Sequence, residues 1–318
     1  MSLQIYDLTH TYGQFMPEWP SHPGVDIDVL KFHARDGVYE VNWEGIMHRG
    51  THMDSPLHVT ENTPDIMDYP LWQLCGTGVC VSIPKEKWGI ITPEDLEAAT
   101  PKIQEGDIVM INTGFHHKWA DCDDYFAYGC GINGAGANWL VEHKVKLVGY
   151  GCQANDHPLA TKLVDHGLGP TQPHLIEEWK QTYGRDPKVD FPLWEDGHKN
   201  LMVKGHIPGI ENVGGQLDEV TGKRCFFMAF PWRWRGGDGC IVRVLAITDP
   251  DGDFRSAAYA AGTYTAANFQ GGAAGTPLPL NAWGAATLLV RNGGPYTFYA
   301  VDLAGNETVR TVDLPQSP

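Results

Sequence analysis

The sequence predicts an α/β fold, in which a parallel or mixed sheet is flanked by helices and followed by a short β-rich appendage. Residues 106–112, 133–144 and 145–150 have the patterns of a buried strand, a helix and a strand, an order typical of such sheets. Hydrophobic residues make up 42% of the chain and charged residues 19%, which is typical of folded globular proteins. Near residue 254 the composition shifts to alanine, glycine and threonine, so we expect two parts, 1–253 and 254–318.

The individual elements follow from local patterns along the chain. A helix is expected to begin after Thr92, because Thr92 suits the N-cap, Pro93 the first helical position and Asp95 the third. One or two helices are expected within residues 158–183. Alternating or continuous apolar runs bounded by turn residues predict strands at 3–8, 25–30, 39–43, 78–83, 106–112, 145–150, 210–213, 224–231 and 239–247, and a closing hairpin at 294–312.

Bulk charge and cysteine content limit the possible partners and compartment. The net charge is −16, so we expect neither nucleic acid nor an anionic membrane surface as a partner. The seven cysteines form no CxxC pair, which favours free thiols in a reducing compartment. The N-terminus lacks the pattern of a signal peptide, and no run approaches the roughly 18 apolar residues of a membrane helix. We therefore expect a cytoplasmic location.

Residues 47–59, MHRGTHMDSPLHV, hold the most informative pattern in the chain. His48, His52, Asp54 and His58 all occupy even positions, and an extended backbone directs such positions to one face. A glycine and a proline within the segment disfavour a helix. Imidazole and carboxylate groups together are ligands for zinc or manganese. The segment therefore predicts a metal site, and the alternative is a polar strand with solvated histidines.

Aromatic and charged residues elsewhere are weaker candidates for the substrate site. Trp19 and Phe115 could stack on an aromatic substrate, although packing in a core is the commoner use of such rings. His157, between Asp156 and a proline, could contact the substrate or form an ion pair. These three residues, Trp19, Phe115 and His157, are the predicted substrate contacts.

Four further residues have less certain roles. His116 and His117 follow a predicted strand and could line a pocket, or lie in a solvated loop. Asp238, in the sequence Gly-Gly-Asp-Gly, is predicted to form a turn. Cys152 is not expected to be a nucleophile, because no general base is placed beside it by the sequence.

The segment at residues 48–58, HRGTHMDSPLH, matches the HxGTHxDxPxH signature of the cyclase-like metal-dependent hydrolases. Bacterial kynurenine formamidase and isatin hydrolase belong to that family. The resemblance covers about residues 3–253, and its motifs occur in the family's order. The other segments that resemble the family are 6–10, 19–20, 111–115, 149–158, 210–212 and 237–243.

The resemblance implies a swivelling β/β/α fold, a divalent metal (zinc or manganese) and hydrolysis of an amide. The expected substrate is a cyclic amide or an N-formyl aryl amide. Carried over position by position, His58 is the catalytic histidine, and the metal ligands are His48, His52, Asp54 and Glu211, joined by His198 in members with two metals.

The chain departs from the family pattern at two places. His198 precedes Glu211 by thirteen residues, one more than is usual in the family, and His206 is the competing candidate for this ligand. Gly151 stands where the family has an aspartate after the strand at 145–150. The sequence leaves open whether one or two metals bind.

The expected protein is a metal-dependent amidohydrolase in which a metal-activated water attacks the amide and His58 acts as general acid and base. A lactone or ester hydrolase and a dehydratase-type cyclase are alternatives that use the same groups. A non-catalytic metal- or small-molecule-binding protein is another, and it would use His58 as one more ligand. The expected partners are a small-molecule substrate and further copies of the chain in a homo-oligomer. The role of residues 254–318 stays open.

Overall fold

The computed structural model describes residues 4–164, 171–248, 254–270, 275–279, 288, 292–302 and 307–314. No helix in these ranges combines the length and apolar character that crossing a membrane requires. The α-helices are α1 His33–Asp36, α2 Pro93–Ala98, α3 Asp123–Phe126, α4 Gly134–Glu142, α5 His174–Tyr183, α6 Asp196–His198, α7 Leu217–Val220 and α8 Ala266–Phe269. The strands are β1 Gln4–Asp7, β2 Asp26–Lys31, β3 Glu40–Glu44, β4 His52–Asp54, β5 Cys75–Ser82, β6 Ile90–Ile91, β7 Ile108–Asn112, β8 Gly131–Ile132, β9 Leu147–Tyr150, β10 Gly209–Glu211, β11 Lys223–Ala229, β12 Gly239–Ile241, β13 Val244–Thr248, β14 Phe254–Ala261, β15 Thr276–Leu278, β16 Gly294–Asp302 and β17 Glu307–Leu314.

A nine-stranded mixed sheet has the strand order β1-β13-β11-β5-β7-β9-β10-β4-β12. Its centre, β5, β7, β9 and β10, is parallel. Strands β4 and β12 continue it with antiparallel pairing on one side, and β11 and β13 do so on the other. The mixed sheet confirms the predicted α/β class. Residues Ile5–Ile247 form one unit, and Gln4 groups with the described residues from Thr248 onward in a second unit.

The main core of the first unit lies between the central strands and helices α2 and α4. Leu96 of α2 and Leu140 of α4 are buried in one cluster with Val109 and Val148 of the sheet. Removing a leucine of this size from water contributes roughly 1.5–3 kcal/mol. A second cluster surrounds Trp179 on α5.

Capping residues mark the start of two helices. The Thr92 side chain accepts a hydrogen bond from Asp95 N, and the Asp95 carboxylate accepts one from Thr92 N, so the predicted start of α2 is confirmed. Helix α4 begins after Asn133, which caps Gly136 N. Within residues 158–183 the chain forms a 3₁₀ turn at Pro158–Ala160 and the helix α5.

The single strand predicted at 239–247 is wrong, because the chain forms two strands there. Strand β12 pairs with β4, whereas β13 lies between β1 and β11. Between them Val242 N donates to Thr51 O, and Val244 N donates to Thr9 Oγ1. The apolar run is buried beside two different parts of the sheet, so its composition does not reveal the change of partner.

The extended backbone predicted for residues 48–58 is limited to β4. Gly50 adopts a left-handed conformation with φ of 56°, which ends the extended stretch on the N-terminal side. On the C-terminal side Pro56–His58 forms a 3₁₀ turn with the proline at its first position, where it needs no amide donor. The histidines therefore converge through two turns, and not through a continuous strand.

The second unit contains a four-stranded antiparallel sheet with the order β15-β14-β16-β17. Strands β16 and β17 pair from Gly294 and Leu314 to Val301 and Glu307, which confirms the predicted closing hairpin. The expected Ala-Gly-Asn turn of that hairpin, 304–306, lies outside the described residues. The small sheet confirms the β-rich character predicted for the C-terminal part.

Candidate metal centre

Strand β4 brings the first two donors of the centre to one face of the sheet. His52 and Asp54 are two residues apart, so their side chains point to the same side. The antiparallel strand β10 places Glu211 directly opposite His52. His52 Nε2 lies 3.3 Å from Asp54 Oδ1 and 3.5 Å from Glu211 Oε2. These three side chains therefore meet at one point.

His198 on α6 completes this group from another part of the chain. Its Nε2 atom lies 3.1 Å from Glu211 Oε1 and 3.5 Å from Asp54 Oδ2. Immediately after His198 the helix becomes a π-helix, Lys199–Lys204, in which each hydrogen bond spans one residue more than in an α-helix. This turn accommodates the thirteen-residue spacing to Glu211. His206 is exposed beyond it, so the structure brings His198 to the cluster and leaves His206 outside.

Hydrogen bonds orient both imidazoles toward the carboxylates. His52 Nδ1 donates to Gly50 O at 2.9 Å, and His198 Nδ1 donates to Asp156 Oδ2 at 2.5 Å. In the neutral ring each Nε2 atom therefore carries the lone pair that a metal needs. Asp156 also accepts from Gly197 N and His198 N, so its carboxylate fixes the start of α6. Sequence reasoning missed this orienting role.

His48 and His58 form the outer side of the centre. His48 Nδ1 is 2.8 Å from Asp54 Oδ1, and its Nε2 is 2.9 Å from Asp238 Oδ2. Asp238, for which only a turn was predicted, is thus a direct partner of His48. The His58 ring stacks on His48 with centroids 3.9 Å apart and is the most accessible histidine of the group. The 190 residues between His48 and Asp238 explain why no local pattern reveals the contact.

The charges around these histidines set their protonation. Burial lowers the pKa of His48, but Asp54 and Asp238 outweigh burial and raise that pKa to about 10. Burial would raise the pKa of Asp54, yet the neighbouring histidines hold it well below its usual value. For His58, enclosure in the cavity and the charge of His48 lower the pKa to about 3. His58 is therefore neutral at pH 7, with a lone pair that can accept a proton.

The donor set fits a divalent cation. Both carboxylate oxygens of Asp54 and Nδ1 of His48 are buried without a partner in hydrogen-bond geometry. A buried carboxylate in this condition is costly unless a cation lies beside it. Donor pairs 3.1 to 3.5 Å apart match tetrahedral sites, where bonds of about 2.0–2.2 Å separate neighbouring donors by about 3.3–3.6 Å. Asp54 is shared by two such groups, one with His48 and His52 and one with His198 and Glu211.

The donor cluster forms one wall of a cavity of about 300 Å³. Of the predicted substrate contacts, Trp19 lines this cavity, where it meets Phe126 edge-on with centroids 6.0 Å apart. Phe115 is buried in the main core and does not line it. His157 is also buried away from it, stacked on Phe191 with centroids 4.3 Å apart. Its predicted substrate contact is therefore not supported by the structure.

Sequence reasoning missed several polar residues of the cavity. His22, Lys162 and Glu195 line it from three separate loops, and no local motif marks them. Burial raises the pKa of Glu195 to about 7. Arg49 is fully buried at the cavity wall, and its Nη1 lies 2.7 Å from Glu18 Oε1. The cavity is therefore more polar on one side than the predicted residues alone indicate.

Comparison with known sequences agrees with the predicted resemblance. The family described as "Putative cyclase" matches residues 6–157. Cyclase-like protein 1 of Arabidopsis thaliana is 32% identical over 162 residues, which represent 46% of this chain and 60% of that protein. The chain thus covers less than two thirds of this curated relative. The range that matches the family contains the segment 48–58 and Asp156.

Solved structures share the fold. Isatin hydrolase A from Ralstonia solanacearum matches with a TM-score of 0.60 and 20% identity, over 78% of this chain and 92% of that one. A structure named "The Structure Of Potential Metal-Dependent Hydrolase With Cyclase Activity" matches with a TM-score of 0.55 and 22% identity, over 78% of this chain and 100% of the other. These matches confirm the predicted swivelling β/β/α fold.

Proposed function

We propose that the protein is a metal-dependent hydrolase of C–N bonds from the cyclase family, whose model matches residues 6–157. The proposed substrate is a cyclic amide or an N-formyl aryl amide. One observation carries the proposal: five buried or half-buried donors lie close together, and all of them except Asp54 line a cavity that also holds aromatic side chains. These donors are His48, His52, Asp54, His198 and Glu211.

The donor set suits zinc or manganese, which both accept imidazole and carboxylate ligands. A divalent cation bound there would polarise the substrate carbonyl and increase the acidity of water. The chain's own contribution is to hold Asp54 ionised and to direct the Nε2 atoms of His52 and His198 toward the carboxylates of Asp54 and Glu211. The hydrogen bonds to Asp156 and Gly50 O fix this orientation of the two rings.

His58 is the proposed general acid and base. It is neutral and accessible, and its ring lies against His48 at the edge of the donor cluster. From this position it can accept a proton from the attacking water and return it to the leaving nitrogen. The ring centroids of His58 and His198 are 5.9 Å apart, so His58 lies beside the inner donors and faces the cavity.

The shape of the cavity supports a flat, partly aromatic substrate. Trp19, Trp119 and Phe126 line one part of it, and the metal donors line another. Aromatic walls bind planar rings through apolar contact and offset or edge-on stacking. A substrate with an aryl group beside its amide carbonyl would meet both surfaces. This arrangement favours aryl and fused cyclic amides over small aliphatic amides.

Metal analysis followed by a substrate screen tests the proposed function. The purified protein is analysed for bound metals, and the loaded enzyme is assayed on formamides, cyclic imides, isatins and lactones. We expect hydrolysis of at least one C–N substrate. Preference for lactones would favour the ester-hydrolase alternative. A closed metal shell that includes His58, with no turnover in the screen, would favour a binding protein.

The roles of His58 and Asp54 can be separated by substitution. His58→Ala is expected to keep its metal and to lower kcat by about 10²- to 10⁴-fold, the usual range for loss of a general acid–base group. Asp54→Ala is expected to lose the metal itself. His143→Ala is the control, because His143 is exposed and does not line the cavity. Full activity in a metal-loaded His58→Ala enzyme would contradict the role of His58 as general acid and base.

A further inference from the structure

His116 and His117 form a second cluster with Asp218, apart from the cavity residues. They lie on the 3₁₀ turn Phe115–Lys118 that follows β7, and Asp218 lies on α7. His116 Nε2 is 3.3 Å from Asp218 Oδ1, and His117 Nε2 is 3.0 Å from Asp218 Oδ2. One donor atom from each of the three side chains lies within 4.8 Å of the other two. Neither histidine nor Asp218 lines the cavity.

His116 is the buried member of the cluster and has no ordinary partner. Its residue is 6% exposed, and neither ring nitrogen has a partner in hydrogen-bond geometry. Nε2 nevertheless faces the carboxylate of Asp218. An imidazole buried in this way needs a partner for its lone pair, and a metal ion is one.

A hydrogen bond from Asn112 orients the carboxylate of Asp218. Asn112 Nδ2 donates to Asp218 Oδ1 at 2.9 Å, and Asn112 Oδ1 accepts from Gly114 N at 2.9 Å. The Asn112 side chain thus links the Asp218 carboxylate to Gly114, the residue just before the 3₁₀ turn that holds His116 and His117. Such outer hydrogen bonds orient ligands in metal sites.

The protonation states also suit a cation. Burial and the neighbouring His117 lower the pKa of His116, despite the opposing effect of Asp218 and Glu219. His116 is therefore neutral at pH 7, the form that binds metals. The Asn112 donor and the two histidines keep the pKa of Asp218 below its usual value, although partial burial opposes them.

We propose that His116, His117 and Asp218 form a second divalent-cation site, distinct from the catalytic centre and suited to zinc. Two imidazoles and a carboxylate are a common zinc ligand set, which leaves a fourth position for water. The exposed side chains of His117 and Asp218, 63% and 52% accessible, give an ion a direct path from solvent. Bound zinc would fasten the turn before Trp119, a cavity residue, to α7.

Zinc counting on the full-length protein tests the site. Metal is removed with a chelator, zinc alone is added back, and bound zinc is measured by equilibrium dialysis and elemental analysis. We expect the wild-type protein to bind one more equivalent than His117→Ala or Asp218→Asn, or to bind that equivalent about tenfold or more tightly. Both positions are exposed, so the variants should fold, and unfolding curves check this. His143→Ala is the matched control and should bind as many equivalents as wild type.

The two zinc sites can be distinguished with a variant of the first. His52→Ala, which disrupts the catalytic centre, is expected to retain the equivalent that His117→Ala loses. Equal zinc counts and affinities in wild type, His117→Ala and Asp218→Asn would overturn the proposal. Loss of all zinc from His52→Ala would overturn it as well. A failed substrate screen would contradict the proposed hydrolase function but would leave these zinc counts unchanged.

Discussion

Asp54 is the residue on which the proposed metal centre depends most. It faces His48 and His52 with one carboxylate oxygen and His198 with the other. It is buried and ionised, and its carboxylate oxygens face imidazole nitrogens without a partner in hydrogen-bond geometry. In a typical core such a group would be paired with donors or replaced. Its environment is explained by a cation that both groups of ligands share.

Asp156 is expected to control metal affinity without touching the metal. Asp156→Asn removes the charged acceptor of His198 Nδ1 and should lower zinc affinity by about 10- to 100-fold, the usual effect of losing such a partner. Isothermal titration of the metal-free protein measures this. Asp190→Asn is the control, because Asp190 pairs with Arg185 at the surface. Unchanged zinc affinity in Asp156→Asn would contradict the orienting role.

The metal-free protein should lose stability as pH rises. Because the pKa of His48 is raised from 6.5 to about 10, its protonated form stabilises the fold. That contribution is fully present below about pH 6.5 and is lost as pH rises through about 10. A metal bound to Asp54 competes with the protonated His48 that pairs with the same carboxylate, so metal affinity should increase over the same window. Thermal unfolding of metal-free and loaded protein from pH 6 to 9 should show a widening gap in Tm, and a constant gap would contradict this.

At the level of elements, the π-helix explains how His198 and Glu211 can reach the same donor cluster although they are thirteen residues apart, one more than is usual in the family. Lys199–Lys204 follows His198 directly, and the buried side chains of Leu201 and Met202 hold it in the main core. The wider turn of the π-helix accommodates the one additional residue between His198 and Glu211, so Glu211 stays opposite His52. Single π turns of this kind occur frequently at functional sites.

A single-residue deletion tests this account of the spacing. Removing Val203 should convert the π turn to a regular α-helix and keep zinc affinity within about tenfold of wild type, because His198 and Glu211 stay in place. The control is removal of Asn138 from α4, a regular helix, which turns the following residues by about 100° and should lower Tm. A complete loss of zinc binding on deletion of Val203 would contradict the account.

The sequence allowed prediction of elements whose cause is local. The capping residue Thr92 and the alternation in β16 and β17 are each visible within a few residues. Features that depend on distant partners were not predictable. The division between β12 and β13 follows from pairing with two different strands, and the contact of Asp238 with His48 joins residues far apart in the chain.

The same distinction applies to the candidate site. The convergence of His52 and Asp54 follows from their spacing on one strand, and the placement of Trp19 at the cavity agrees with its prediction. His157 was placed in the substrate site because it stands beside Asp156, but adjacent residues of an irregular segment point in different directions. Asp156 orients His198, while His157 packs against Phe191. Tertiary packing decides such cases.

At the scale of the whole molecule, the expected homo-oligomer stays a prediction. The β2–β3 hairpin exposes several apolar side chains, including Val29 and Val41, which face each other across it. A two-stranded sheet is marginal in water, so this surface is where contact between copies is expected. Light scattering after size exclusion should show an oligomer that Val29→Lys with Val41→Lys dissociates. Val189→Lys, at another exposed apolar position, is the control, and a monomeric wild type would contradict the expectation.

The central claim is that one divalent cation lies between β4, β10 and α6. Anomalous diffraction from crystals of the zinc- or manganese-loaded protein tests it most directly. The account predicts a peak within about 2.0–2.2 Å of donor atoms from His52, Asp54, His198 and Glu211. A fully loaded protein with no peak at this position, or with His52 and Asp54 bound to different ions far apart, would contradict it.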